Sequence, residues 1–166
     1  MNRPTWMKWM PWLLVSLVAL GGCASATIGE VGVADEPLAP YGVISPAQAI
    51  TVIDGLRGQE DFVLLDIRTA EEVAAFHLPG AENLDFYAPS FREDLAALDD
   101  GTTYLIYCRT GNRTGQASQM MHELGLERVY DLGGGISAWM ADGKPICVGE
   151  LTVEHACTGL PRGFGT

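Results

Sequence analysis

The chain is poor in positive charge. Ten lysines and arginines stand against 21 aspartates and glutamates in 166 residues, a formal charge of −11. A surface of that sign repels nucleic acid and anionic lipid, which excludes both as partners held by bulk electrostatics. Histidine is scarce as well. His77, His122 and His155 are scattered singly, no pair has metal-ligand spacing, and neither a metal nor a cofactor is assigned. No apolar run reaches the roughly 20 residues that a membrane-spanning helix needs. There is no internal repeat. The glycine cluster Gly133-Gly134-Gly135 lacks the GxGxxG spacing and long following helix of a dinucleotide site. A hydrophobic fraction of 48% and a charged fraction of 19% describe a globular chain, long enough for one domain with a core.

What the N-terminus does contain reads as an address. Residues 1–22 hold Arg3 and Lys8, no acid, and the apolar run Trp9 to Leu20, about the length of a signal-peptide h-region. The run ends in Leu20-Gly21-Gly22-Cys23, which resembles a bacterial lipobox, where cleavage precedes a cysteine that becomes lipidated. Residues 1–22 are therefore expected to be a lipoprotein signal peptide, with Cys23 the lipidated residue. Cleavage would leave 144 residues with a formal charge of −13. Acyl chains worth about 0.8 kcal/mol per buried methylene would hold the protein on the membrane despite that charge. The expected location is the cell envelope facing the periplasm, with alanine at position 24 favouring the outer membrane. Residues 24–40, which are small, polar and proline-containing, read with Cys23 as a flexible tether over 23–40.

From residue 41 onward apolar runs alternate with helical patterns. Strands are expected at 41–44, at Phe62 to Asp66, at 83–84, at Thr103 to Tyr107, and last at Arg128 to Leu132. Capping boxes at Ser45-Pro46-Ala47-Gln48, Thr69-Ala70-Glu71-Glu72 and Ser90-Phe91-Arg92-Glu93 open helices that end near Gly55, Phe76 and Leu98. A further helix is expected from Gly115 to Leu124, stopped by Gly125, and a short one after Gly135. The alternation argues for an α/β fold with a mostly parallel central sheet and helices on both faces.

In such a sheet, ligands sit at the carboxyl ends of strands, where Cys108 falls. It opens the loop Cys108-Arg109-Thr110-Gly111-Asn112-Arg113-Thr114 ahead of a helix. Unpaired amides and the positive helix end favour an anion there, and the same field lowers a thiol's pKa. Two arginines in the loop act in the same direction. Cys147 and Cys157, ten positions apart, read as a disulfide pinning a C-terminal tail of residues 147–166. The alternative is that one of them resolves a Cys108 intermediate.

Several separated segments together resemble the rhodanese family. Asp66-Ile67-Arg68 with Glu71-Glu72, then His77-Leu78-Pro79-Gly80-Ala81, is similar to its first signature. The Cys108 loop is similar to its active-site loop, and Gly133 to Trp139, ending Gly143-Lys144-Pro145-Ile146, to its closing signature. The resemblance covers roughly residues 43–146, nearly all of a domain expected at 41–146, and points to small exported single-domain members. It implies a sulfurtransferase that moves sulfane sulfur from a donor such as thiosulfate to cyanide or a thiol through a Cys108 persulfide. Arg109 is expected to contact the donor, with Thr110, Gly111, Asn112, Arg113 and Thr114 completing the cradle. Arg113 either joins it or pairs with a nearby carboxylate.

Asp66 and Arg68 are expected to be structural, with Arg68 reaching Glu71 or Glu72. His77 is expected to brace a turn, and Trp139 to be core or pocket wall. The chain is expected to act as a monomer. Two positions depart from the family: Phe76 stands where glycine is frequent, and Thr110 where thiosulfate-specific members often have lysine. The rival readings are a non-catalytic binding or sensing module, and a phosphatase or arsenate reductase of related fold. The latter requires five residues between cysteine and arginine, and here there are four.

Overall fold

The computed structural model describes residues 41–151 and 156–158; the signal peptide, Cys23 and tether expected at 1–40 lie outside them. Strands β1 (Gly42–Ile44), β2 (Phe62–Asp66), β3 (Glu82–Asn83), β4 (Thr103–Tyr107) and β5 (Val129–Leu132) form one sheet. Their order is β1-β5-β4-β2-β3 and every pairing is parallel. Every residue of β4 and β5 is buried, as expected of strands covered on both faces.

Alternation along these strands sorts the core into two layers. Leu64, Leu105, Tyr107, Tyr130 and Leu132 pack with α1 (Pro46–Leu56) and α5 (Gly135–Ala141). Leu65, Tyr104, Ile106, Cys108 and Val129 pack with α3 (Phe91–Ala96) and α4 (Asn112–Glu123). Trp139 is core, 1% exposed, with its indole N–H donating to the Pro145 carbonyl at 2.8 Å.

Capping boxes form at Ser45 and at Thr69, the latter opening α2 (Ala70–Ala75). The third expected box does not form. Ser90 has helical dihedrals and its side chain caps nothing, so α3 is entered through consecutive turns at Asp85 and Ala88. The helix expected from Gly115 begins at Asn112, because Gly111 reverses the chain with φ 95° and its carbonyl accepts the Gly115 amide at 3.0 Å. Residues 112–114 are therefore the helix's first turn, and they bring its free amides back towards Cys108.

Arg68 differs from expectation in its partners. It is 1% exposed and pairs with Asp66, Nε to Oδ1 at 2.9 Å and Nη2 to Oδ2 at 2.6 Å. Its remaining donors reach the backbone carbonyls of Glu72 (3.2 Å) and Phe76 (2.6 Å), not the side chain of Glu71 or Glu72. His77 braces a turn as expected, its Nδ1 lying 3.0 Å from the Val73 carbonyl.

β5 is not the last strand. β6 (Ile146–Val148) and β7 (Ala156–Thr158) pair antiparallel with Cys147 opposite Cys157, and the two form a disulfide. Cys147 also exchanges both backbone hydrogen bonds with His77, at 2.9 and 2.8 Å, and the Gly149 amide donates to the Ala74 carbonyl at 3.0 Å. The domain thus continues past residue 146, and the hairpin is seated on the end of α2. Replacing Cys157 by serine should reduce stability by ~2–3 kcal/mol, the entropy of closing so short a loop, read as a lower urea midpoint.

Candidate active site

Cys108 follows directly on β4, and Gly111 and α4 wrap its sulfur. The Gly111 amide donates to Sγ at 3.2 Å, and the Thr114 hydroxyl lies 4.0 Å from it. That hydroxyl is itself held, donating to the Gly111 carbonyl at 3.0 Å. Cys108 is only 1% exposed and sits at the floor of the loop. Burial pushes its thiol pKa up, but the backbone amides of Thr114, Thr110, Gly111 and Arg113 outweigh burial and bring it below the ordinary value. The arrangement favours a thiolate through fixed dipoles, without an adjacent general base.

The loop is also supported from behind. The amides of Ile136 and Ser137, at the start of α5, donate to the carbonyls of Cys108 (2.9 Å) and Arg109 (3.1 Å). So close an approach requires Gly135, whose φ is 59°. A Cβ there would lie 2.6 Å from the Arg109 carbonyl carbon and 2.7 Å from its oxygen. The glycine cluster, not a dinucleotide site by its spacing, is therefore a backing plate for the cysteine loop.

The two loop arginines diverge. Arg113 makes a bidentate pair with Glu72, 2.7 Å to Oε2 and 2.9 Å to Oε1, while its guanidinium lies over the Tyr87 ring. Of the two roles open to it, carboxylate pairing is the one observed. Arg109, next to Cys108 in the chain, is exposed and lines a groove with Glu71, Glu72, Ala75 and Phe76. Thr110 and Asn112 are exposed, and Thr114 is fully buried. Asp66, Arg68, His77 and Trp139 are all buried as framework. Tyr107, not singled out from sequence, receives the Leu78 amide on its hydroxyl at 3.0 Å and ties the turn after His77 to β4. The double duty of Glu72, N-terminal cap and Arg113 partner, was visible only in its first half, through the Thr-x-x-Glu spacing.

Two measurements follow from this geometry. Arg113 holds the Glu72 carboxyl below its usual range, against burial and with help from the Thr69 amide. A depressed folded pKa makes the pair's contribution fully present above the unfolded value of about 4.3 and lost as pH falls through the folded one. Glu72→Gln should therefore reduce stability by about 1 kcal/mol at neutral pH. Its stability should converge with that of the parent in acid, as read by denaturant titrations across pH. Gly135→Ala should cost ~2–4 kcal/mol by the same titration at neutral pH, because the chain must shift at both loop and helix.

Residues 50–142 match the rhodanese-like domain family, and this span is more than half of the chain. A sulfurtransferase from Allochromatium vinosum is 37% identical over 95 residues, covering 57% of this chain and 87% of its own. A thiosulfate sulfurtransferase GlpE from Pseudomonas putida is 37% identical over 98 residues, covering 59% of this chain and 84% of its own. Among solved structures, a rhodanese-related protein from Thermoplasma volcanium superposes with a TM-score of 0.55 at 26% identity, covering 64% of this chain and 97% of that one. With the parallel sheet, the cysteine after β4 and the helix wrapped on its sulfur, these matches lead to one assignment: the chain belongs to the rhodanese-like domain family.

Proposed function

We propose that the protein is a sulfurtransferase in which Cys108 carries the transferred sulfur as a persulfide. The family and the sulfurtransferases among its relatives support the reaction class. The observation that carries the chemistry is the buried sulfur ringed by backbone amides, with its pKa lowered. In the first half-reaction the thiolate attacks the sulfane sulfur of a donor such as thiosulfate. A bond forms between Sγ and that sulfur, the donor's sulfur–sulfur bond breaks, and sulfite leaves with the electron pair. In the second, a thiolate or cyanide attacks the outer sulfur, and the bonding pair returns to Sγ. The persulfide's charge rests on its terminal sulfur, where the loop amides supply donors. Arg109, exposed beside Cys108 in the loop, would draw an anionic donor to a protein whose net charge repels it.

Arg113 argues against the oxyanion reading. Both its terminal nitrogens hydrogen-bond to Glu72, which commits the guanidinium to that carboxylate rather than to a bound oxyanion. The lipobox at Leu20 to Cys23 supports an enzyme anchored outside the cytoplasm, a setting that also suits the Cys147–Cys157 bridge.

Treating the protein with thiosulfate should add the mass of one sulfur, located by peptide mapping on Cys108, and Cys108→Ser should abolish the gain. Equal spectra for parent and variant would sink the sulfurtransferase reading. A side-by-side rate assay with thiosulfate and mercaptopyruvate then identifies the better donor.

A further inference from the structure

The groups that act on sulfur leave one cavity of the molecule without a role. It lies between α4 and the β1–β5 side of the sheet and measures about 570 Å³, the size of a small-molecule site. Gly115, Ser118 and His122 recur at helical spacing and form its α4 wall. The sheet wall includes Val43 of β1 and Asp131 of β5, which stand in register and so share a face. Alternation along β5 puts Asp131 on the same face as Val129, the one that packs against α4. The β1 end of that face is uncovered, and Val43 is 75% exposed. A Cβ on Gly115 would meet nothing within 4 Å. Glycine is costly in a helix, so α4 holds this space open at the expense of helix propensity.

The lining specifies the charge of a ligand. Asp131 is 6% exposed, its Oδ1 is buried without a hydrogen-bond partner, and no salt bridge among the described residues includes it. Ser118 contributes a second buried oxygen without a partner. Neither lysine nor arginine lines the cavity, and its one basic side chain, His122, is exposed and pairs with Glu127 at 3.2 Å. A carboxylate enclosed without a cation is costly to keep ionised, and burial raises the Asp131 pKa accordingly. A cation bound beside it offsets that cost. The described residues hold no cluster of three metal-ligating side chains, and Val43, Leu126 and Val129 give the cavity apolar walls. These features suit an organic cation with an apolar body better than a metal ion. The net charge of −11 favours its approach.

We propose that this cavity binds a small organic ammonium ion, its amine seated against Asp131 and its apolar body against Val43 and Val129. The proposal does not rest on the reactivity of Cys108. The test is an NMR titration of the nitrogen-15-labelled full chain with benzylamine, beside benzyl alcohol as an uncharged ligand of the same shape. Benzylamine should move the amide signals of Gly115, Ser118 and Asp131 to saturation, and benzyl alcohol should bind about tenfold more weakly. Asp131→Asn, which keeps the shape and cannot ionise, should weaken benzylamine by about tenfold and bring it level with the alcohol. Absence of saturable shifts at these amides overturns the proposal. Equal affinity for amine and alcohol overturns it too, as does undiminished affinity in Asp131→Asn. Should that variant not fold, Gly115→Leu takes its place, its side chain filling space that the glycine leaves open. Weaker binding of benzylamine is then expected, and unchanged affinity overturns the site. The readout is ligand occupancy and not sulfur transfer, so failure here leaves sulfur loading of Cys108 intact, and failed loading leaves the ammonium site standing.

Discussion

A guanidinium buried at 1% exposure has to be satisfied entirely by protein, and Arg68 is satisfied by groups from three places. Asp66, at the end of β2, neutralises it, and the carbonyls of Glu72 and Phe76 take its other donors. Asn83 of β3 then bonds the carbonyls of both Asp66 and Arg68. Removing either charge would strand the other in a site without water, at a cost of about 3–5 kcal/mol. The pair therefore sets where α2 sits relative to the sheet, and two further contacts inherit that placement. Glu72 presents its carboxylate to Arg113, and the turn after α2 presents His77 to the disulfide hairpin.

The active site hangs from this frame on one side and from α5 on the other. Arg113 is clamped to α2, and the carbonyls of Cys108 and Arg109 are clamped to the α5 amides. With both flanks held, the amides at the start of α4 point at the sulfur before any substrate arrives. Stabilisation by such fixed dipoles needs no reorganisation when charge develops, and this is where an enclosed site gains over water. The arginine that looks from its position like an anion ligand is paired with Glu72, and through that pair it ties the loop to α2.

Much of this was legible in the chain because local chemistry and tertiary context agree. β2 and β4 appear as continuous apolar runs, and Ser45 and Thr69 cap as their spacing indicates. Ser90 has similar letters and no cap, since the pattern supplies the side chains without the extended entry that capping requires. The start of α4 was misplaced by three residues because Asn112, Arg113 and Thr114 are loop and helix at once. Their identity as a cradle hides their dihedrals. The partner of Arg113 lies 41 residues away, and the capping-box spacing that marks Glu72 as a helix cap does not mark it as that partner. Asp131 has no motif at all. Only the packing of α4 on β5 shows that it is buried.

Burial and reactivity at Cys108 look opposed, since desolvation works against a thiolate. The opposition weakens once the reaction is followed atom by atom. Under the proposed chemistry, forming the persulfide moves the negative charge outward by about 2 Å, the length of a sulfur–sulfur bond. The inner sulfur becomes neutral and suits its dry floor, while the outer one advances among the loop amides towards Arg109. A deep cysteine therefore bears its desolvation cost mainly as the free thiolate. That species is also the one whose sulfur lies beside the Thr114 hydroxyl. On that proposal the cost of burial falls on the resting protein and would be relieved by loading it, which would drive Cys108 to take up sulfur and leave release to the nucleophilicity of the acceptor.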